Sequence, residues 1–118
     1  MRFLLDKGAN PEAQDKNLET PLHLASRAGK MEAVKILLDK GANPNAQNKY
    51  KRTPLHLAAI NGHEESAQVL VEKKANIEAL DITNWTPLDW ALEEGKTEVV
   101  RFLEQAEQAN PTSATTAS

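Results

Sequence analysis

Cysteine is absent from the 118-residue chain, and glycine and aromatic residues are scarce. Without cysteine, the protein forms no disulfide framework and no thiolate site. The five glycines are scattered and do not make a phosphate-binding loop. The sequence also has no apolar run long enough to span a membrane and no signal peptide at Met1. We therefore expect one small domain in the cytoplasm or nucleus, without a membrane partner.

Catalytic and metal-binding motifs are missing as well. None of the serines lies in a nucleophile elbow, and no HExxH motif or pair of histidines at helical spacing occurs. The sequence therefore predicts no enzyme activity, no cofactor and no metal ion. An enzyme or a metal-dependent site is the weakest alternative and is kept open.

An internal repeat dominates what is present. The string TPLHLA begins at Thr20 and again at Thr53, and TPLDWA begins at Thr86, so the spacing is 33 residues both times. A fixed period of this length indicates stacked supersecondary units. The register predicts repeats over 15–47, 48–80 and 81–109, preceded over 1–14 by the second half of a truncated repeat. The polar segment 110–118 is predicted to be a disordered tail.

Each repeat carries the signals of two short helices. Thr20 is a suitable N-cap with Pro21 at the first helical position, and Gly29 ends the helix. A second helix is expected at roughly 31–40. The residues predicted to face the core of this repeat are Leu22, Leu24, Val34, Ile36, Leu37 and Leu38.

With these motifs and the glycines that follow them, the chain resembles the ankyrin repeat family over residues 1 to about 107. The resemblance implies an all-α solenoid of stacked helix pairs with projecting β-turns or hairpins. It also implies that His23 and His56 are structural and hydrogen-bond across the turns of adjacent repeats. The family pattern prefers glycine where this chain has Leu18 and Lys51, so those turns are expected to be strained or differently shaped. Lys74, where Gly41 predicts glycine, raises the same expectation.

The few aromatic residues divide into two groups. By register Phe3, Phe102 and Trp90 belong to the core, whereas Tyr50 and Trp85 lie in the projecting turns. In ankyrin-like proteins the turn tips and the exposed side of the first helix form a concave binding surface. The residues predicted by this register to bind a partner are Arg27, Lys49, Tyr50, Arg52, Ile60, Asn61, Ile82, Thr83 and Trp85, with Glu93 and Glu94 at one border. Trp85 has a second interpretation, in which it folds back on its own turn.

Charge is distributed unevenly along the repeats. Residues 1–60 hold ten Lys and Arg against six Asp and Glu, a balance of +4, and residues 61–118 hold four against eleven, a balance of −7. The acidic half makes nucleic acid an unlikely ligand. The sequence predicts a non-catalytic module that binds a protein partner and is monomeric or weakly self-associated through its amino-terminal end. The alternative is the structural end of a longer repeat array with its binding surface elsewhere.

Overall fold

The computed structural model describes residues 16–109 of the chain. The half-repeat expected over 1–14, Phe3, self-association through the amino-terminal end and the tail over 110–118 lie outside the described residues. The described part holds six α-helices and no β-strand. Their bounds are α1 Pro21–Ala28, α2 Met31–Asp39, α3 Pro54–Asn61, α4 Glu64–Glu72, α5 Pro87–Glu93 and α6 Thr97–Ala109.

The helices stack in two layers, with one helix of each repeat in each layer. In the first layer α3 packs against α1 and α5, and in the second layer α4 packs against α2 and α6. Within a repeat the two helices also pack against each other. Short helices of this kind are marginal alone in water, so the packing between layers and between repeats stabilises them. This arrangement confirms the predicted all-α solenoid of stacked helix pairs.

The ends of the first-layer helices follow from local sequence. The Thr20 hydroxyl accepts a hydrogen bond from the His23 backbone N–H at 3.3 Å, and the Thr53 hydroxyl accepts one from His56 at the same distance. Gly29 closes α1 in the left-handed conformation with a φ of 71°. A Cβ atom at Gly29 would lie 2.5 Å from the His63 ring, so a larger residue there would also force this ring to move.

Two residues predicted to face the core are instead exposed. Leu24 is 46% exposed and Ile36 is 50% exposed, whereas Leu22 and Val34 are completely buried. Leu24 is two positions from Leu22, and Ile36 is two positions from Val34. Because each helical residue turns about 100° from the one before, two positions separate side chains by about 200°. The prediction was therefore wrong for the second member of each pair.

The aromatic residues predicted to lie in the core are buried only in part. Phe102 packs against the core cluster while remaining partly exposed. Trp90 is half-buried as well, although Leu57 at the same register of the preceding repeat is only 4% exposed. The core assignment of Trp90 is thus corrected, since its ring lies at the border of the packed interior.

The projecting turns share one backbone conformation. Leu18, Lys51 and Asn84 have φ values of 63°, 61° and 66°. The turns therefore do not differ in shape, and the expected strain falls on Leu18 and Lys51, because an L-residue with a branched or long side chain is disfavoured in this region. Lys74 has a φ of 78° and is strained in the same way.

Lys74→Gly is expected to raise the free energy of unfolding by about 1 kcal/mol, because glycine has no steric penalty in the left-handed region. The adjacent Lys73→Gly is the matched control. It removes the same charge from a residue with a φ of −98°, together with an exposed ion pair to Asp39, and should lower the free energy of unfolding instead. Urea denaturation of both variants measures the two effects. A Lys74→Gly protein that is less stable than the wild type would contradict this interpretation of the turn.

Candidate partner-binding surface

In each of the turns before α3 and α5, one polar side chain accepts hydrogen bonds from the backbone of the turn. The Asn48 amide oxygen accepts hydrogen bonds from the backbone N–H groups of Tyr50 at 2.8 Å and Arg52 at 3.1 Å. In the next turn an Asp81 carboxylate oxygen accepts them from Thr83 at 2.9 Å and Trp85 at 3.2 Å. These bonds fix the backbone of both turns, so the side chains at the tips project from an ordered support.

Backbone hydrogen bonds join the successive turns into a row. The Lys49 N–H donates to the Asn17 carbonyl at 3.0 Å, and the Ile82 N–H donates to the Tyr50 carbonyl at 2.9 Å. The two bonds are equivalent under the repeat. They place Tyr50 and Ile82 on neighbouring tips.

Two buried histidines connect the row of turns to the first-layer helices. The backbone N–H of Thr20 donates to His23 Nδ1 at 3.0 Å, which leaves His23 Nε2–H to donate to the Arg52 carbonyl at 2.9 Å. His56 repeats the arrangement, with its Nε2 2.8 Å from the Trp85 carbonyl. Burial lowers the pKa of His23 and of His56 and outweighs the carbonyl contacts, which favour protonation. Both histidines brace adjacent turns, as the family resemblance implies.

Cationic and aromatic side chains alternate along the tips. The Lys49 ammonium and the Arg52 guanidinium each lie 5.2 Å from the centre of the Tyr50 ring. The Arg52 guanidinium also lies 4.8 Å from the Trp90 ring, and the Trp90 and Trp85 rings are tilted with centroids 4.6 Å apart. The five side chains form a continuous row of cation–π and aromatic contacts. We call this row the tip row.

Arg52 is held beneath the tips by a buried carboxylate. Its Nε lies 3.3 Å from Asp81 Oδ2, and the Trp90 indole N–H donates to the same oxygen at 2.7 Å. Burial favours a raised pKa for Asp81, but hydrogen bonds from Thr83, Trp90 and Trp85 outweigh it and hold the pKa well below its ordinary value. Asp81 is therefore ionised and is both the support of its turn and the counterion of Arg52.

In the preceding turn different residues form the equivalent buried polar contact. Asn48 is neutral, and its amide N–H donates to the buried Glu19 carboxylate at 3.3 Å. Arg27 pairs with both oxygens of Glu19, one of them at 2.9 Å from the guanidinium. Glu19 lies at the register of Arg52. The charge at this position is therefore negative where the first repeat meets the second and positive where the second repeat meets the third.

The residues predicted to bind a partner differ in exposure. Tyr50 is 43% exposed and Ile82 is 58% exposed, whereas Arg52, Ile60 and Trp85 are half-buried. The remaining four predicted residues are exposed and are Arg27, Lys49, Asn61 and Thr83. The tip row brings together Lys49, Tyr50, Arg52 and Trp85. Arg27 is tied to Glu19, and the Asn61 amide donates back to the Leu57 carbonyl at 2.9 Å.

Sequence reasoning missed three residues of this region. Trp90 belongs to the tip row, Asp81 supports it, and Leu92 is 55% exposed beside it. A helical projection of α5 would have separated Leu92 from the buried Ala91, because neighbouring residues turn by about 100°. Leu92, Trp85, Asn84, Asp89 and Glu93 line an open groove between the last turn and the end of α5. We call it the α5 groove.

Within residues 16–109, no helix is long and apolar enough to cross a bilayer, and no three histidine or acidic side chains are arranged to hold a metal ion. A family model described as ankyrin repeats in three copies matches residues 1–81 and 40–114. No curated protein matches the chain.

Proposed function

This chain belongs to the ankyrin repeat family, whose repeats are generally protein–protein interaction modules, and we propose that it binds a protein partner through its turn tips and first-layer helices. We call this surface, which comprises the tip row, Ile82 and the exposed sides of α1, α3 and α5, the turn–helix surface. Members of the family are typically non-enzymatic scaffolds, and the absence of catalysis in this chain remains a prediction. A cytoplasmic or nuclear location is likewise part of the proposal.

One observation carries the proposal. Tyr50 and Ile82 expose large apolar groups on two adjacent tips that are already joined by a backbone hydrogen bond. Stacking of the repeats does not require them there. A surface whose backbone is ordered in advance loses less conformational entropy on binding, so its contacts contribute more fully to affinity. Tyrosine is also among the residues that most often dominate binding energy at interfaces.

Trp85 is not the best residue to substitute in a test of this proposal. Trp85 packs on Trp90, so Trp85→Ala would remove a contact of the fold together with any contact to a partner. This packing favours the interpretation in which Trp85 folds back on its own repeat. Tyr50 and Ile82 are the cleaner probes, because more of their surface is free.

Tyr50→Ala with Ile82→Ser is expected to weaken partner binding by about 2 kcal/mol or more, roughly 30-fold in Kd, the scale of an interface hot spot. The partner would be captured from a native extract, identified, purified and titrated by calorimetry. Ile36→Ser is the matched control, since Ile36 is also exposed at 50% but lies on α2 in the second layer. If the control weakens binding as much as the double variant, the interface lies on the other layer and the proposal fails.

A further inference from the structure

In the third repeat a carboxylate occupies the position that a histidine occupies in the first two repeats. His23 and His56 each present an N–H group to a backbone carbonyl of the following turn, at 2.9 Å and 2.8 Å. Asp89 occupies this register in the third repeat, and its Oδ2 accepts from the Thr86 N–H at 2.9 Å, as the histidine Nδ1 atoms do in theirs. A carboxylate, unlike an imidazole, has no N–H group to offer in place of Nε2–H. Asp89 is exposed, so a partner group that replaces water on its carboxylate must donate a hydrogen bond or carry positive charge.

The groove beside Asp89 has an apolar wall. Leu92 is 55% exposed, whereas Ala59 and Ser26 at the same register of the other repeats are completely buried by the repeat that follows them. Trp85 is half-buried and lines the groove next to it. A leucine and a tryptophan open to solvent suit the aliphatic part of a long side chain.

Within the described residues, Asp89 and Glu93 form no ion pair with a cationic side chain. The ion pairs among residues 16–109 join Arg27 to Glu19, Arg52 to Asp81 and Lys73 to Asp39, and none of them includes a carboxylate that lines the groove. Nearby on α6, burial raises the pKa of Glu107, and repulsion from Glu78, Glu104 and Asp89 raises it further. A cation paired with Asp89 in the groove would offset the part of this repulsion that Asp89 contributes.

Building on the function proposed above, we propose that the α5 groove binds an arginine side chain of the protein partner. The carboxylates of Asp89 and Glu93 pair with the guanidinium, and Leu92 and the Trp85 ring pack against its stem and face. Arginine fits better than lysine, because a planar guanidinium stacks on an aromatic ring and offers a fork of donors to carboxylates. The tip row already contains such a stack in the contact between Arg52 and Trp90.

The test uses a blocked hexapeptide with one Leu-Arg pair among glycine and serine, titrated into the full chain and followed by amide and indole NMR shifts. The same peptide with citrulline, the neutral isostere of arginine, is its control. The arginine peptide is expected to shift Trp85, Leu92 and Glu93 and to bind about five-fold more tightly than the citrulline peptide, the scale of two solvent-exposed ion pairs.

Asp89→Asn with Glu93→Gln should abolish that preference, because asparagine keeps the acceptor that caps α5 while the charges are lost. Glu65→Gln with Glu72→Gln is the matched control, since it removes the same charge from exposed positions of α4. Equal affinity for the two peptides, or shifts confined to another face, would overturn the proposal. So would a concentration-dependent dimer that the groove variant dissociates, which would make a second copy of the chain the occupant.

The captured partner separates this inference from the proposed function. Binding that is lost with Tyr50→Ala and Ile82→Ser, but is unchanged with Asp89→Asn and Glu93→Gln, overturns only the arginine site. Binding that survives both pairs of substitutions overturns the turn–helix surface itself. Binding that is weakened several-fold by each pair supports both.

Discussion

Arg52→Glu is expected to lower the free energy of unfolding by about 3–5 kcal/mol, because it leaves the buried Asp81 carboxylate without its cation and adds a second carboxylate beside it. The Asp81 side chain is completely buried and that of Arg52 is 24% exposed, so solvent screens this pair poorly. The substitution also removes the cation between the Tyr50 and Trp90 rings. Urea denaturation measures the effect. Lys51→Glu is the control with the same charge change at an exposed neighbour and should shift stability by about 0.5 kcal/mol or less.

The contact between the first and second repeats suggests a second substitution that should restore part of the stability lost in Arg52→Glu. There Glu19 occupies the register of Arg52, and Asn48 occupies the register of Asp81, with the amide donating to the carboxylate. Adding Asp81→Asn to Arg52→Glu recreates this amide–carboxylate contact between the second and third repeats and leaves one carboxylate there instead of two. The double variant is therefore expected to be more stable than Arg52→Glu alone by about 1–2 kcal/mol, a coupling typical of residues in direct contact. The cation that pairs with Glu19 is not recreated, because Ile60 occupies the register of Arg27. Equal stability of the single and double variants would mean that Arg52 acts through its ring contacts alone.

Much of the fold could be predicted from the sequence because its determinants are local. Thr20 and Thr53 cap helices with a side chain three residues away, and Gly29 supplies a conformation that most residues avoid. The repeat then multiplies each local signal three times in fixed register. Stacking follows, because short amphipathic helices in tandem can cover their apolar faces only with one another.

The side chains of the candidate site were harder to predict because their roles depend on the neighbouring repeat. The sequence predicts Arg52 to be a partner-binding residue of a turn, but in the structure Arg52 forms a half-buried ion pair with Asp81 of the following repeat. The register of the sequence predicts Trp90 to be a core residue, but in the structure its ring contacts the guanidinium of Arg52. Contacts across 29 or more residues carry no local pattern. Tyr50 and Ile82 could be placed on the tips correctly because position in a turn alone determines their exposure.

Acid is expected to destabilise the repeats through His23 and His56. In the folded chain burial lowers the pKa of both below the ordinary value of 6.5, which the unfolded chain retains. Below pH 6.5 the unfolded state therefore binds more protons, so the stabilisation is fully present above that pH and is lost as pH falls towards the folded-state pKa values. The hydrogen-bond geometry acts in the same direction as burial. Nδ1 of His23 and of His56 now accepts a hydrogen bond from the backbone N–H of Thr20 and of Thr53, with an N–N distance of 3.0 Å in both cases. A proton on Nδ1 would face this N–H group and break the hydrogen bond.

Each histidine contributes a slope of at most about 1.4 kcal/mol per pH unit, so the free energy of unfolding should fall as the pH is lowered below 6.5. His56→Gln isolates one contribution, because glutamine at this position of a capping box still accepts from the Thr53 N–H but does not titrate in this range. Urea denaturation at several pH values should show a shallower dependence for His56→Gln than for the wild type. Parallel curves for the two proteins would contradict the prediction, because the imidazole of His56 would then gain its proton without cost to the packed turn.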